Sequence, residues 1–318
     1  MELITKKIRR YQKMKYIKIK NTELVVSNIA LGCMRLVKPV EEVEEVVKKA
    51  IDLGINFFDH ADIYGGGRSE KLFGEVIKRN PELRSKMIIQ TKCGIVPGVC
   101  YNSSKEHILK QVNQSLEYLQ TDYIDVLLLH RPDALVDPKE VAEAFDELYL
   151  SGKVKYFGVS NMNALQIELL KKEIKQPIVF NQLQFNVVNS SMIDSGIHVN
   201  MDDNQAIDRD GSLLDYCRIQ DITIQPWSIL QASWQKGSYL NHPDYVALNN
   251  KLNELANKYA VTPACIAVAW ILRHPANMQP IAGTTSLLHL EELVKANQIS
   301  LTREEWYQLY LSTGKTLP

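Results

Sequence analysis

The sequence predicts an α/β fold, a single-domain parallel (β/α)8 TIM barrel carrying a short N-terminal hairpin and a C-terminal helix. Three observations lead there. Short apolar runs alternate with stretches of helical periodicity eight times in series, the pattern of parallel strands joined by crossover helices. The chain has 318 residues, 45% hydrophobic and 23% charged, a length and composition that one barrel takes up as a single domain. No Gly-x-Gly-x-x-Gly follows any strand, which disfavours the rival fold, a doubly wound sheet.

The elements follow in chain order. Residues 1–13 are basic, lack the apolar segment of a signal peptide, and are expected to be a disordered or extraneous extension, leaving 14–318 as the barrel domain. Tyr16–Lys20 and Leu24–Ser27 alternate as a small hairpin across Asn21-Thr22, and Asn28–Gly32 reads as the first barrel strand. Val40–Leu53 carries Val43, Val46, Val47 and Ala50 at helical spacing. Strand and helix then alternate: Ile55–Phe58 and Ser69–Arg79, Met87–Thr91 and Ser104–Leu119, Tyr123–Leu129 and Pro138–Leu150, Val154–Val159 and Leu165–Ile174. Ile178–Phe180 is the sixth strand, with Gly211–Ile219 helical, and Ile222–Gln225 is the seventh, with helices over Ala247–Tyr259 and Pro263–Leu272. Pro280–Ala282 is the eighth, before helices Leu287–Ala296 and Arg303–Leu311. Asn186 to Asp210, rich in Asn, Asp and Ser, is expected to be an extended loop over one rim.

Lys plus Arg equals Asp plus Glu at 37 each, so no global charge recruits nucleic acid or an anionic membrane. Five scattered cysteines without a Cys-x-x-Cys pair suggest reduced thiols, and a cytoplasmic location is expected. No apolar run approaches the ~20 residues of a membrane span. No His-Glu-x-x-His marks a zinc site, no metal is expected, and no Gly-x-Ser-x-Gly offers a serine nucleophile.

All strands of a parallel barrel open on one face, where chemistry is built. The stretch GINFFDHADIYGGGRSE puts Asp59 and Tyr64 there, beside Lys92, His130, Ser160, Asn161, Gln182, Trp227 and Ser228 from other strand ends. Singly, each has a structural explanation: Lys92 as a solvated charge, His130 as a core histidine, Trp227 as rim packing. Four ionisable groups from three consecutive strand ends suggest more. A lysine beside a tyrosine is expected to lower the phenol's pKa, a carboxylate to hold the lysine charged, and a histidine to bond a substrate oxygen. That set suits protonation of a carbonyl oxygen while hydride, which no side chain can donate, arrives from a cofactor. Trp227 could stack on a nicotinamide ring, with Asn161 and Gln182 fixing its carboxamide. Gly283, Thr284, Thr285 and Ser286, entering a helix, form a candidate phosphate site.

The segments FFDHADIYGGG, QTKCG, DVLLLHRPD, GKVKYFGVSN, NQLQFN, QPWSIL and IAGTTS resemble the aldo-keto reductase superfamily, especially its bacterial YdhF-like branch, over the chain from about Met14. The resemblance implies a catalytic tetrad of Asp59, Tyr64, Lys92 and His130, with Tyr64 as general acid. It implies cofactor contacts from Gly32, Met34, Ser160, Asn161, Gln182, Trp227, Ser228, Ile229 and Leu230, and from Gly283 to Ser286. Where the family commonly carries an arginine for the 2′-phosphate of NADP, the aligned residue is His289, with Glu292 on the same helix face. The expectation is therefore NAD(P)H-dependent reduction of a small-molecule aldehyde or ketone, with NADP(H) as cofactor and NAD(H) possible, by a monomer or small homo-oligomer. The alternative, which a resemblance to potassium-channel β subunits permits, is a cofactor-binding regulatory or partner subunit on the same fold.

Overall fold

The computed structural model describes residues 14–197 and 212–315. The expected N-terminal extension and residues 198–210 of the expected rim loop lie outside the described residues.

Eight parallel strands form one sheet: β1 (Ala30–Gly32), β2 (Phe57–Asp59), β3 (Ile88–Cys93), β4 (Ile124–Leu129), β5 (Val154–Ser160), β6 (Ile178–Gln184), β7 (Thr223–Trp227) and β8 (Ile281–Ala282). Their spatial order is β7-β6-β5-β4-β3-β2-β1-β8. The seam between β7 and β8 is bridged by the Gln279 N–H, which donates to the Ile224 carbonyl at 3.0 Å. The sheet therefore curls into a nearly closed barrel with the helices around it, as the alternation of elements predicts.

Strand burial explains the uninterrupted apolar runs, since helices cover one face and the barrel interior the other. Along β4, Val126 and Leu128 join Phe57, Phe180 and Ile281 inside the barrel, while Leu127 and Leu129 pack outward under the helices. The N-terminal hairpin pairs Ile17 with Val26, and its Ile19, Leu24 and Val26 are buried in that same interior cluster, so it plugs the barrel.

Helix starts follow the caps in the sequence. Asn163 and Gln166 form a reciprocal capping box, as do Thr302 and Glu305, and Asp137 precedes Pro138 at the first helical position. The C-terminal helix, Arg303–Leu311, is fastened by two indoles. Trp306 stacks on Trp270 with ring centroids 4.6 Å apart, and each ring N–H donates to the other residue's carbonyl, at 2.9 and 3.0 Å.

The structure departs from expectation in several places. β6 runs to Gln184 rather than Phe180, which puts Asn181 and Gln182 within the strand. The rim segment after Asn186 is not simply extended: Ser191–Ile197 is helical, because Met192 and Ile193 find apolar partners in the main core. Two short hairpins were hidden by their brevity, Ile95–Val96 with Cys100–Tyr101 and Gln231–Ser233 with Gly237–Ser238. Pro81–Lys86 forms a 3-10 turn before β3. All five cysteines are free, and four of them are buried.

Candidate active site

The site begins with β2 and β3 lying in parallel register, Asp59 opposite Gln90. Beyond β2 the chain turns through three glycines, each at positive φ, before helix Arg68–Arg79. At Gly65 a Cβ would meet the Val37 side chain at 2.6 Å, so this turn, which sets Tyr64 at the barrel mouth, admits no side chain there.

Lys92 is fully buried, and its ammonium finds three acceptors for its three protons. It lies 2.8 Å from Asp59 Oδ1, 2.7 Å from the His60 carbonyl and 3.0 Å from Tyr64 Oη. Tyr64 Oη therefore accepts from the ammonium, which leaves its own proton free to point at a ligand. Burial pushes the Lys92 pKa down, but the Asp59 charge and the Tyr64 oxygen outweigh it, so Lys92 stays charged. For Tyr64 the balance differs from the sequence expectation. Lys92 does pull its pKa down, but burial pushes it up by more, with Asp59 adding to the rise. Tyr64 thus holds its proton more firmly than a free tyrosine.

His130 follows β4, its ring 6.0 Å from the Tyr64 ring and nearly perpendicular to it. Burial first, then the charges of Lys92 and Arg131, lower its pKa to about 2, so it is a neutral imidazole with one N–H to offer. His60 is a packing residue: its ring sits edge-on to Phe73 at 4.4 Å, and burial lowers its pKa to about 3.

Below this group lies a chain of carboxamides that the sequence reading missed. The Gln90 amide donates to Asp59 Oδ1 at 2.6 Å and to Gln225 Oε1 at 2.9 Å; the Gln182 amide donates to the same two atoms at 3.0 and 3.4 Å. Gln225 in turn donates to Gln279, and Gln279 to the Ser27 carbonyl. The signal was present as a single glutamine inside apolar β3.

A cavity of about 580 Å3 opens over these residues. Its lining contains Asp59, Tyr64 and His130; Lys92 lies beneath the surface. Of the expected cofactor residues it also contains Gly32, Met34, Ser160, Asn161, Gln182, Trp227, Ser228, Ile229, Leu230, Gly283 and Thr284. Thr285, Ser286, His289 and Glu292 are not in that lining; Ser286 caps helix Leu287–Val294 by accepting the His289 N–H, and the His289 side chain is exposed. The sequence reading did not assign Arg35, Arg131 or Trp234, which do line the cavity. Arg35 donates to the Gly283 carbonyl at 2.9 Å.

The lining suits a dinucleotide. At one end the Trp227 indole donates to Asn161 Oδ1 at 3.3 Å, so a flat ring and an amide stand side by side as a nicotinamide requires. The same lining holds the Thr284 hydroxyl and the Arg35 guanidinium, which can donate to phosphate oxygens. The 228–231 segment is held in shape by buried Asn186, whose amide donates to the Ser228 and Gln231 carbonyls.

Comparison with known proteins agrees with this geometry. Residues 28–310 match the aldo/keto reductase family. The uncharacterized oxidoreductase YcsN of Bacillus subtilis is 35% identical over 87% of this chain and 90% of its own length. The oxidoreductase YdhF of Escherichia coli is 32% identical over 89% and 92%. An aldo-keto reductase from Klebsiella pneumoniae, solved in complex with NADPH, superposes with a TM-score of 0.74 at 25% identity, covering 94% of each chain.

Proposed function

The chain belongs to the aldo/keto reductase family, an oxidoreductase that reduces aldehyde or ketone carbonyls, and on that footing we propose that NADPH is its preferred cofactor and Tyr64 its proton donor. The observation that carries the reading is the tetrad itself, assembled with the Tyr64 hydroxyl on the cavity wall and the Lys92 ammonium 3.0 Å behind it.

Reduced nicotinamide supplies the hydride when bound. Trp227 would offer its face to that ring, and Asn161 and Gln182 would hold its carboxamide. The substrate carbonyl oxygen sits between Tyr64 Oη and the His130 ring. His130, being neutral, donates a hydrogen bond without competing for the transferred proton. As negative charge grows on the carbonyl oxygen, Tyr64 gives up its proton and becomes a phenolate. Lys92 is already in place to stabilise that phenolate, and Asp59 keeps Lys92 charged and aimed. The preference for NADPH rests on Arg35 and Thr284, which line the cavity and can donate to a further phosphate, supported by the NADPH complex of the Klebsiella relative.

The test is turnover on a panel of aldehydes and ketones with each cofactor. The expected result is NADPH oxidation dependent on carbonyl, with a lower KM for NADPH than for NADH. Equal KM values would remove the cofactor preference, and no turnover on any carbonyl would favour the regulatory-subunit alternative, which an intact tetrad otherwise argues against.

A further inference from the structure

Arg131, next in the chain after His130, lines the same cavity and takes no part in the chemistry described above. It forms no ion pair or hydrogen bond with any described residue, and its guanidinium lies 5.9 Å from the centroid of the Trp227 ring. The carboxylate nearest in sequence, Asp133, is engaged elsewhere: its oxygens accept the backbone N–H groups of Ser103 and Leu135, at 2.9 and 2.8 Å. Among the described residues the only carboxylate in the cavity lining, Asp59, is neutralised by Lys92 at 2.8 Å. A half-buried guanidinium beside the reacting centre thus lacks an anion. Its charge already reaches the site, since it contributes to the lowered basicity of His130. Guanidinium is the side chain best matched to a carboxylate or phosphate, through paired charge-assisted hydrogen bonds.

We propose that Arg131 anchors an anionic group of the substrate, so that the enzyme selects carbonyl compounds bearing a carboxylate or phosphate a short distance from the carbonyl. This rests on the carbonyl-reductase reading. With the carbonyl oxygen held at Tyr64 and His130, a guanidinium on the adjoining residue takes the far end of a short substrate and fixes its orientation. An apolar chain would leave that charge half-desolvated and unmatched.

The experiment measures kcat/KM with NADPH for matched pairs. Glyoxylate, succinic semialdehyde and para-formylbenzoate are each compared with the corresponding primary amide, and glyceraldehyde phosphate with glyceraldehyde. At least one anion should be preferred by about tenfold or more, mainly through KM, as a charge-assisted pair provides. Arg131→Met should reduce that preference by about 10–100-fold, and Arg131→Lys should keep part of it. Wild-type enzyme that reduces the neutral partners but shows no anion preference overturns the anchor while leaving the carbonyl reductase intact. A preference unchanged in Arg131→Met overturns it as well. So does a loss of NADPH affinity in Arg131→Met, read by fluorescence titration, equal to the loss in kcat/KM, because the guanidinium would then serve the cofactor. No turnover of any carbonyl overturns both readings.

Discussion

A phenol that donates a proton must first hold one, and the Tyr64 environment ensures this. Burial raises its pKa above the ordinary value, with the nearby Lys92 ammonium only partly opposing the rise. Reduction should therefore proceed across neutral and mildly alkaline pH without a break from Tyr64 ionisation. Tyr64→Phe keeps the ring and removes the proton, so single-turnover reduction should fall by about 10²–10⁴ while NADPH still binds in a fluorescence titration. Wild-type turnover in that variant would dismiss the assignment. Lys92→Met should also suppress reduction, because the phenolate formed in the transition state loses its ammonium partner. A higher pH should not rescue it, since a tyrosinate has no proton to give. The variant's rate from pH 6 to 9 tests this, and a recovery at the alkaline end would show that Lys92 acts in another way.

At the scale of elements, the polar exits of buried strands were readable because apolar runs stop abruptly there. Helices over Pro138–Leu150, Pro263–Leu272 and Arg303–Leu311 matched their expected bounds, each opening on a capping residue or proline. What sequence could not disclose depends on distance along the chain. Arg131 was visible in DVLLLHRPD, but whether it meets a carboxylate depends on where Asp133 finds donors. The strand ends were likewise mobile in the reading by a residue or several, as with β6, because pairing to β7 prolongs it past its apolar part. The clasp between Trp270 and Trp306 is another long-range feature, and it carries a prediction. Trp306→Ala should cost about 3–5 kcal/mol in urea unfolding, as truncation of a buried aromatic does. Trp306→Phe should cost less, since the ring remains and only its N–H bond to Trp270 is lost. A loss below the range for ordinary surface substitutions in the alanine variant would show that the last helix docks by other contacts.

For the whole molecule, buried ionisable groups write a pH dependence into stability. Asp62, beside the tetrad, has its carboxyl oxygens buried without hydrogen-bond partners, and burial, then Glu70, raises its pKa from 3.8 to about 7. The folded chain thus holds a proton that the unfolded chain has released. Its contribution to stability is full below the unfolded value and is lost as pH rises through about 7. Asp62→Asn cannot titrate, so its stability relative to wild type should improve as pH goes from about 4 to 7, by at most about 1.4 kcal/mol per unit, and then level off. Urea midpoints of both proteins across that range give the answer, and a difference independent of pH would contradict it. The run of glutamines beneath Asp59 has another consequence for the intact molecule. Carboxamides neither gain nor lose protons in this range, so the base of the barrel behaves as an insulator. The proton that Tyr64 surrenders in each cycle must then be restored from the open end, by the same doorway through which the alcohol leaves.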